Sequence, residues 1–386
     1  MKKVFLLCFV YSLSYAQTIE TLIQKAYENN YNLKAMDKEV EISKQNSISS
    51  REWDNPTLSL GLSDLQLDDM TNRKKEPMQT QFIMLTQNIP LNNKKALSYD
   101  ISIEKEKLSS INKDIQKAKI ASIITTLSYK TLLQDKFLHL LEKKVANLKK
   151  MKSLTRAYQM DAEQSLFIEL EMLKLQNKKE SIKEKRESLL KTIEKLTLLE
   201  VVRIDESLDV KDISDLDISN HPKVKLLEQQ IEVAKKESKL NKAKKVSDIK
   251  VSGGYYQRDA RDDYMNISFS MPLAIGESEN VEIVKSKIKI KKLQLLLKDT
   301  INSFENDIKI LKQKEDKAIK NHDRYKKSFI PKQRKIIRLI KQKSSLNKAT
   351  MIDVLKAKNS LFTLQELALK EIGEYFEAYG KLRYYR

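Results

Sequence analysis

Three histidines, one cysteine, a glycine pair and a group of methionines are the residues whose chemistry could be catalytic or metal-binding. His139, His221 and His322 are scattered, with no i, i+4 pair and no carboxylate arrangement of the zinc type, so they read as solvated or packing histidines. Cys8 is the only cysteine and lies in an N-terminal apolar run, which leaves the chain after it without a disulfide or a thiol nucleophile. Met151, Met160 and Met172 could offer thioethers to copper(I), but methionine at helical spacing is usually packing. Gly253-Gly254 is not a phosphate loop, because no helix with Lys-Ser/Thr follows it. With no acid–base pair, nucleophile, metal set or cofactor motif, the chain is expected to be a non-enzyme.

The N-terminus sets the expected compartment. Lys2 and Lys3 precede the apolar stretch from Val4 to Leu13, and Ser14-Tyr15-Ala16 places small residues at −3 and −1 of a cleavage site. Residues 1–16 therefore read as a secretory signal with Gln17 as the mature start. Leu6 and Leu7 precede Cys8 and the apolar run continues past it, so lipidation is not expected. Downstream there is no apolar stretch of the roughly 18 residues that a spanning helix needs. A bilayer crossing by this chain would have to be a closed barrel.

The elements that must position any function come in a repeated order: helix, two short strands, very long helix. With 6 Gly and 6 Pro in 386 residues and a third of residues charged, the composition suits long helices with solvated faces. The net charge of +20 could serve a phosphate backbone. Its lysines, however, are spread over every helical segment among Glu and Asp, so no nucleic-acid partner is expected.

In the first repeat, residues 17–200, a helix is expected over 19–51, strands over 57–63 and 80–89, a helix over 92–159 and a returning helix over 165–199. Thr57 to Ser63 alternates cleanly, with Leu58, Leu60 and Leu62 on one face. Thr80 to Ile89 has apolar residues on both faces, which leaves its register open. Residues 201–220 read as an irregular acidic connector. In the second repeat, residues 221–386, strands are expected over 249–257 and 264–271, a helix over 277–343 interrupted only by Pro331, and a final helix over 349–379. Pro56, Pro90 and Pro272 mark the strand–helix junctions, and Asn88-Ile89-Pro90-Leu91 matches Ser270-Met271-Pro272-Leu273. Leu33, Met36, Val40 and Ile42 align with Val224, Leu227, Ile231 and Val233, which points to internal duplication.

Four strands cannot close on themselves, and in lipid closure is obligatory. An eight-stranded barrel is already filled by side chains, whereas three copies of this chain would bring twelve strands and enclose a lumen. The faces opposite the apolar ones are expected to carry Ser, Thr, Asn, Gly and Lys.

Taken in order, these phrases resemble the TolC-like outer-membrane efflux channel family over nearly the whole mature sequence. Ala26-Tyr27-Glu28-Asn29-Asn30-Tyr31-Asn32-Leu33 and Asn220-His221-Pro222-Lys223-Val224 are similar to the family's Ala-x-x-x-Asn-Pro-x-Leu helix opening. Asn347-Lys348-Ala349-Thr350-Met351-Ile352-Asp353 resembles its Gly-x-x-Ser/Thr-x-x-Asp/Glu hairpin phrase with Asn in place of Gly, and Glu163 to Leu170 is a poorer match. The resemblance implies a mainly α fold with a small β part. Long antiparallel coiled-coil helices would form a periplasmic α-barrel, and four strands per chain would join a trimeric 12-stranded outer-membrane β-barrel. It implies a homotrimer in outer-membrane lipid, a membrane-fusion adaptor and, through it, an inner-membrane transporter. Glu163, Glu169, Asn347, Lys348 and Asp353 would lie at the periplasmic tip, with Glu169 and Asp353 as a carboxylate ring or as first-turn acids complementing the helix dipole. The expected function is an exit duct for small molecules or metal ions. A type I protein-secretion duct and a soluble periplasmic coiled-coil scaffold are the alternatives.

Overall fold

The computed structural model describes residues 17–69, 72–157, 162–211, 213, 216–259, 261–273, 275–343 and 348–386, excepting the side chains of 343 and 348–350. The expected signal segment with Cys8, and also Met160 and Asn347, lie outside the described residues. Two compact units are formed: one from the described part of Met1–Lys34 with Asp114–His221 and Ile301–Arg386, the other from Ala35–Lys113 and Pro222–Thr300. Each sequence repeat contributes to both units.

The first unit is helical. Helix α1 (Ile19–Asn29) starts at Thr18, whose side chain accepts the Thr21 N–H at 3.2 Å. The helix expected over 19–51 is in fact broken at Asn30, and α2 (Tyr31–Arg51) begins anew. Asn30 leaves helical backbone, with ψ at 119°, its Oδ1 accepts the N–H groups of Asn32 and Leu33, and its Nδ2 donates to the Leu196 carbonyl at 3.0 Å. The side chain thus caps a new helix, and that outweighs the continuing apolar period.

Helix α3 (Lys94–Ala157) is 64 residues long, about 96 Å at 1.5 Å per residue. Its C-terminal part packs with α4 (Ala162–Thr197) and α8 (Lys348–Leu382) around Leu141, Leu148, Met151, Ile168, Leu175 and Leu355. Elsewhere in this unit Tyr129 stacks on Phe376 with ring centroids 4.0 Å apart. Gly380 permits the close crossing beside them, since a Cβ there would lie 2.9 Å from the Thr126 Cα. The connector is irregular, and Val201, Ile204 and Ile213 anchor it by burial. Its Lys211 is clamped: the backbone N–H donates to the Tyr375 hydroxyl at 2.8 Å, and that hydroxyl donates to the Lys211 carbonyl.

Pro331 disturbs its helix more than a simple interruption would. Helix α6 (Ser278–Arg324) passes into a π-helical turn, Tyr325–Phe329, before α7 (Ile330–Lys343). The proline ring crowds the carbonyl four residues back, and the turn widens so that the Ile330 N–H reaches the Tyr325 carbonyl.

The second unit carries the β part. Strands β1 (Thr57–Ser63), β2 (Thr80–Ile89), β3 (Ile249–Arg258) and β4 (Tyr264–Ser270) form one antiparallel sheet in the order β1-β2-β3-β4. The central β2–β3 pairing joins the two repeats, and β1 and β4 are left as edges. Helix α5 (Pro222–Ala243) leads into β3, with Pro222 at the first helical position, where its missing N–H is not needed.

Candidate functional site

The register sorts the sheet into two chemically distinct faces. Directly opposed residues share a face, so the rows Leu58-Leu85-Gly253-Ile267 and Leu60-Ile83-Tyr255-Met265 define one side. No strand residue on this side is charged, and Leu60, Met265, Ile267 and Phe269 are 71%, 75%, 65% and 73% exposed. Leucine, isoleucine and phenylalanine in such a row facing water would forfeit roughly 1.5–3 kcal/mol each relative to burial. The open register of Thr80–Ile89 is thereby settled: Ile83 and Leu85 join the apolar face.

The other face runs Thr57-Thr86-Ser252-Ser268 and Ser59-Met84-Gly254-Asn266, with a Thr86–Ser252 hydroxyl bond of 2.9 Å. It departs from the expected Ser, Thr, Asn, Gly and Lys at Met84, in the row Gly61-Phe82-Tyr256-Tyr264 and at Arg258. Phe82 stacks on Tyr256 and Tyr256 on Tyr264, with centroids 5.4 and 4.9 Å apart, and the Arg258 guanidinium lies 4.7 Å from the Tyr264 ring. A Cβ at Gly61 would come within 2.5 Å of the Phe82 ring, so glycine makes room for it. Alternation places Tyr256 on this face with Lys250, Ser252 and Gly254, whereas the side taken by Phe82 is set by the pairing of β2 with β3.

Two of the expected junction prolines bracket the hairpin β1–β2. Pro56 precedes β1, and Pro90 follows β2. After Pro90, Asn92 and Asn93 take left-handed backbone, with φ of 56° and 61°, which asparagine tolerates better than most residues. This turn is held by Asp248, which accepts from the Leu91 N–H at 3.1 Å and the Lys94 ammonium at 2.6 Å. Asn92 donates to the Ala243 carbonyl at 3.0 Å. Pro272 follows β4 in non-helical backbone.

The expected tip residues fall in the helical unit. Glu163 stands in the first turn of α4 and, with Phe167, Ile352 and Lys356, lines a cleft of about 720 Å3. Glu169 lies on another cleft, of about 650 Å3, and is ion-paired within its own hairpin to Lys152 at 2.6 Å and Arg156 at 3.9 Å. The Lys152 hydrogen bond and charge, with a smaller effect of Arg156, hold its carboxyl below the usual range. Asp353 is exposed near the start of α8; the structure does not bring it into the clefts of Glu163 or Glu169. Lys348 opens α8, and Asn347 lies outside the described residues.

The histidines take structural places. His221 is buried against Phe304 and Tyr384, and its Nε2 bonds the Tyr384 carbonyl at 2.9 Å. Burial lowers its pKa. His139 and His322 line one small cleft with Lys136 and Lys143, a proximity invisible in sequence, and His322 Nδ1 bonds the Ala368 carbonyl at 3.0 Å. Among the described residues no group of three or more His, Cys, Asp or Glu is placed to hold a metal, and no helix is long and apolar enough to cross a membrane. Met151 is buried in the α3–α4–α8 core and Met172 packs against it.

No family model and no curated protein matches the chain in sequence. Solved structures do match it in shape. A structure of CusC, from work on its folding and transmembrane channel formation, superposes with a TM-score of 0.74 at 10% identity, over 95% of this chain and 92% of that one. The CmeC outer-membrane channel of Campylobacter jejuni gives 0.74 at 13%, over 95% and 85%. The open state of the MtrE outer-membrane channel of Neisseria gonorrhoeae gives 0.72 at 13%, over 94% and 89%. At such identities the likeness is one of fold, and it spans nearly the full length of both partners. The chain has the TolC-like outer-membrane channel fold.

Proposed function

We propose that this protein is the outer-membrane exit duct of a tripartite efflux system, a passive conduit and not an enzyme, working as a homotrimer. One observation carries the reading: a four-stranded sheet with an uncharged, exposed face and two unpaired edges. That face suits lipid, and three sheets joined edge to edge would close a barrel of twelve strands around the polar face. The helical unit would supply the periplasmic conduit. An energised inner-membrane transporter would act through an adaptor docked at the hairpin tips, near Glu163, Glu169, Asn347, Lys348 and Asp353. Small molecules or metal ions would be the cargo. Residues 1–16 would be removed on export, leaving repeats 17–200 and 221–386 linked by 201–220.

Gating would consist of a change in helix packing at the tip, since packed helices have discrete alternatives. The Lys152–Glu169 pair inside one hairpin supports a structural role for Glu169, which leaves Asp353 as the more available carboxylate for a ring.

The test is the native mass of the full-length protein extracted in detergent from purified outer membranes. A trimer is expected. A monomer or dimer in the soluble periplasmic fraction overturns the duct and favours a coiled-coil scaffold.

A further inference from the structure

On the polar face of the sheet the only charged strand residues are Lys250 and Arg258, and there is no carboxylate. They sit at opposite ends of β3, paired with Asn88 and Thr80 respectively. Beside Arg258 runs the row of Phe82, Tyr256 and Tyr264 across three adjacent strands. Its rings are only partly covered, and Tyr264 is 40% exposed.

One carboxylate, that of Asp263, lies near enough for its charge to act with Arg258 but forms no ion pair with it. Asp263 accepts the Arg258 backbone N–H at 2.9 Å and the hydroxyl of Tyr255, which belongs to the apolar face, and Asp68 pairs with Lys75. The Arg258 Nε donates to the Asp262 carbonyl at 2.9 Å, and its guanidinium makes no ion pair among the described residues. A guanidinium laid on an aromatic ring keeps donors for an anionic group while the ring row offers apolar contact.

We infer that this face is a binding surface for planar aromatic anions: the ring system lies against the Phe82–Tyr256–Tyr264 row and the anionic group meets Arg258. The inference rests on the duct reading, because only a closed trimer turns this face into a pore wall. There three copies would set nine rings and six cations around one lumen, and a walled aqueous space concentrates the potential of its fixed charges. Cargo passing it would be sorted by charge and by planarity. Lys250, at the far end, extends the preference for anions along the wall.

The experiment uses the full-length protein in detergent and the fluorescent anion pyrene-1,3,6,8-tetrasulfonate, followed by anisotropy. Saturable binding is expected, weakening as salt rises from about 50 to about 500 mM. Arg258→Gln should weaken it about tenfold, the loss of one charge-assisted contact. Tyr256→Leu, which keeps bulk and removes the stacked ring, should weaken it severalfold. Butane-1,4-disulfonate should not compete, and the loop variant Lys74→Gln should bind as the parent does. Undiminished binding in Arg258→Gln or Tyr256→Leu overturns the inference, as does equal competition by the aliphatic disulfonate or an equal loss in Lys74→Gln. Native mass is measured first on every variant. A parent protein that is not a trimer removes the duct and this inference together, whereas a trimer that fails the dye test removes only the inference.

Discussion

Glu104 shows how single charged residues stabilise these helices. On α3 it accepts from Lys107 at 2.9 Å, Lys236 at 2.8 Å and Gln229 at 2.6 Å, with its side chain 13% exposed. The Lys107 hydrogen bond, then that of Lys236, holds its carboxyl at about 2, against an ordinary 4.5. A carboxylate with a depressed folded-state pKa stabilises fully above its unfolded value, and the contribution is lost as pH falls through the folded one. Thermal stability of the parent should therefore decline between about pH 4.5 and 2. Glu104→Gln should be less stable at pH 6, with a gap that closes toward pH 2.5. A gap that stays constant across that range contradicts the assignment. Glu377, held at about 2 by Lys381 and Lys130, adds to the same acid limb.

At the scale of elements, Pro331 and the π-helical turn before it make a defined test. Proline inside a helix costs about 3 kcal/mol relative to alanine. Pro331→Ala should let Tyr325–Phe329 relax to ordinary winding, with greater helical signal in circular dichroism and a higher melting temperature. An unchanged melt would mean that packing, not the proline, sets the turn. Sequence could not show this turn, because a proline announces a break but not which backbone bonds rearrange to absorb it. Strands β1 and β4 were legible because apolar and small or polar residues alternate in them, with Tyr264 at the start of β4 as the exception. Strand β2 was not, since Phe82 and Met84 are as apolar as Ile83 and Leu85; its register is fixed by pairing with β3, from the other repeat. Asn30 was hidden for a related reason: the carbonyl that holds it belongs to Leu196. The same limit applies to the sites. Glu169 was visible as an acid near a turn, but its partner Lys152 is set by the phase of two helices. The aromatic row exists only once Phe82 lies opposite Tyr256 and Tyr256 opposite Tyr264.

For the whole molecule, the apolar face must meet lipid if the duct reading holds. A lysine at the middle of a barrel's lipid face costs roughly 2–4 kcal/mol. Ile267→Lys should accordingly lower the fraction of protein recovered in outer membranes, and Ser268→Lys, one residue on and facing the other way, should not. Equal recovery of the two variants would deny the face its role.

The edges carry a different consequence. Strands β1 and β4 contain no charged residue and no proline, the usual safeguards of an unpaired edge, and their outward side chains are leucine, methionine, isoleucine and phenylalanine. A lone copy in water is therefore templated for stacking with any strand it meets, including the wrong ones. Supply of the chain thus becomes a matter of timing. On the duct reading, synthesis that outruns assembly should yield insoluble aggregate, and an escort that masks β1 and β4 during transit would raise the yield without touching the finished product.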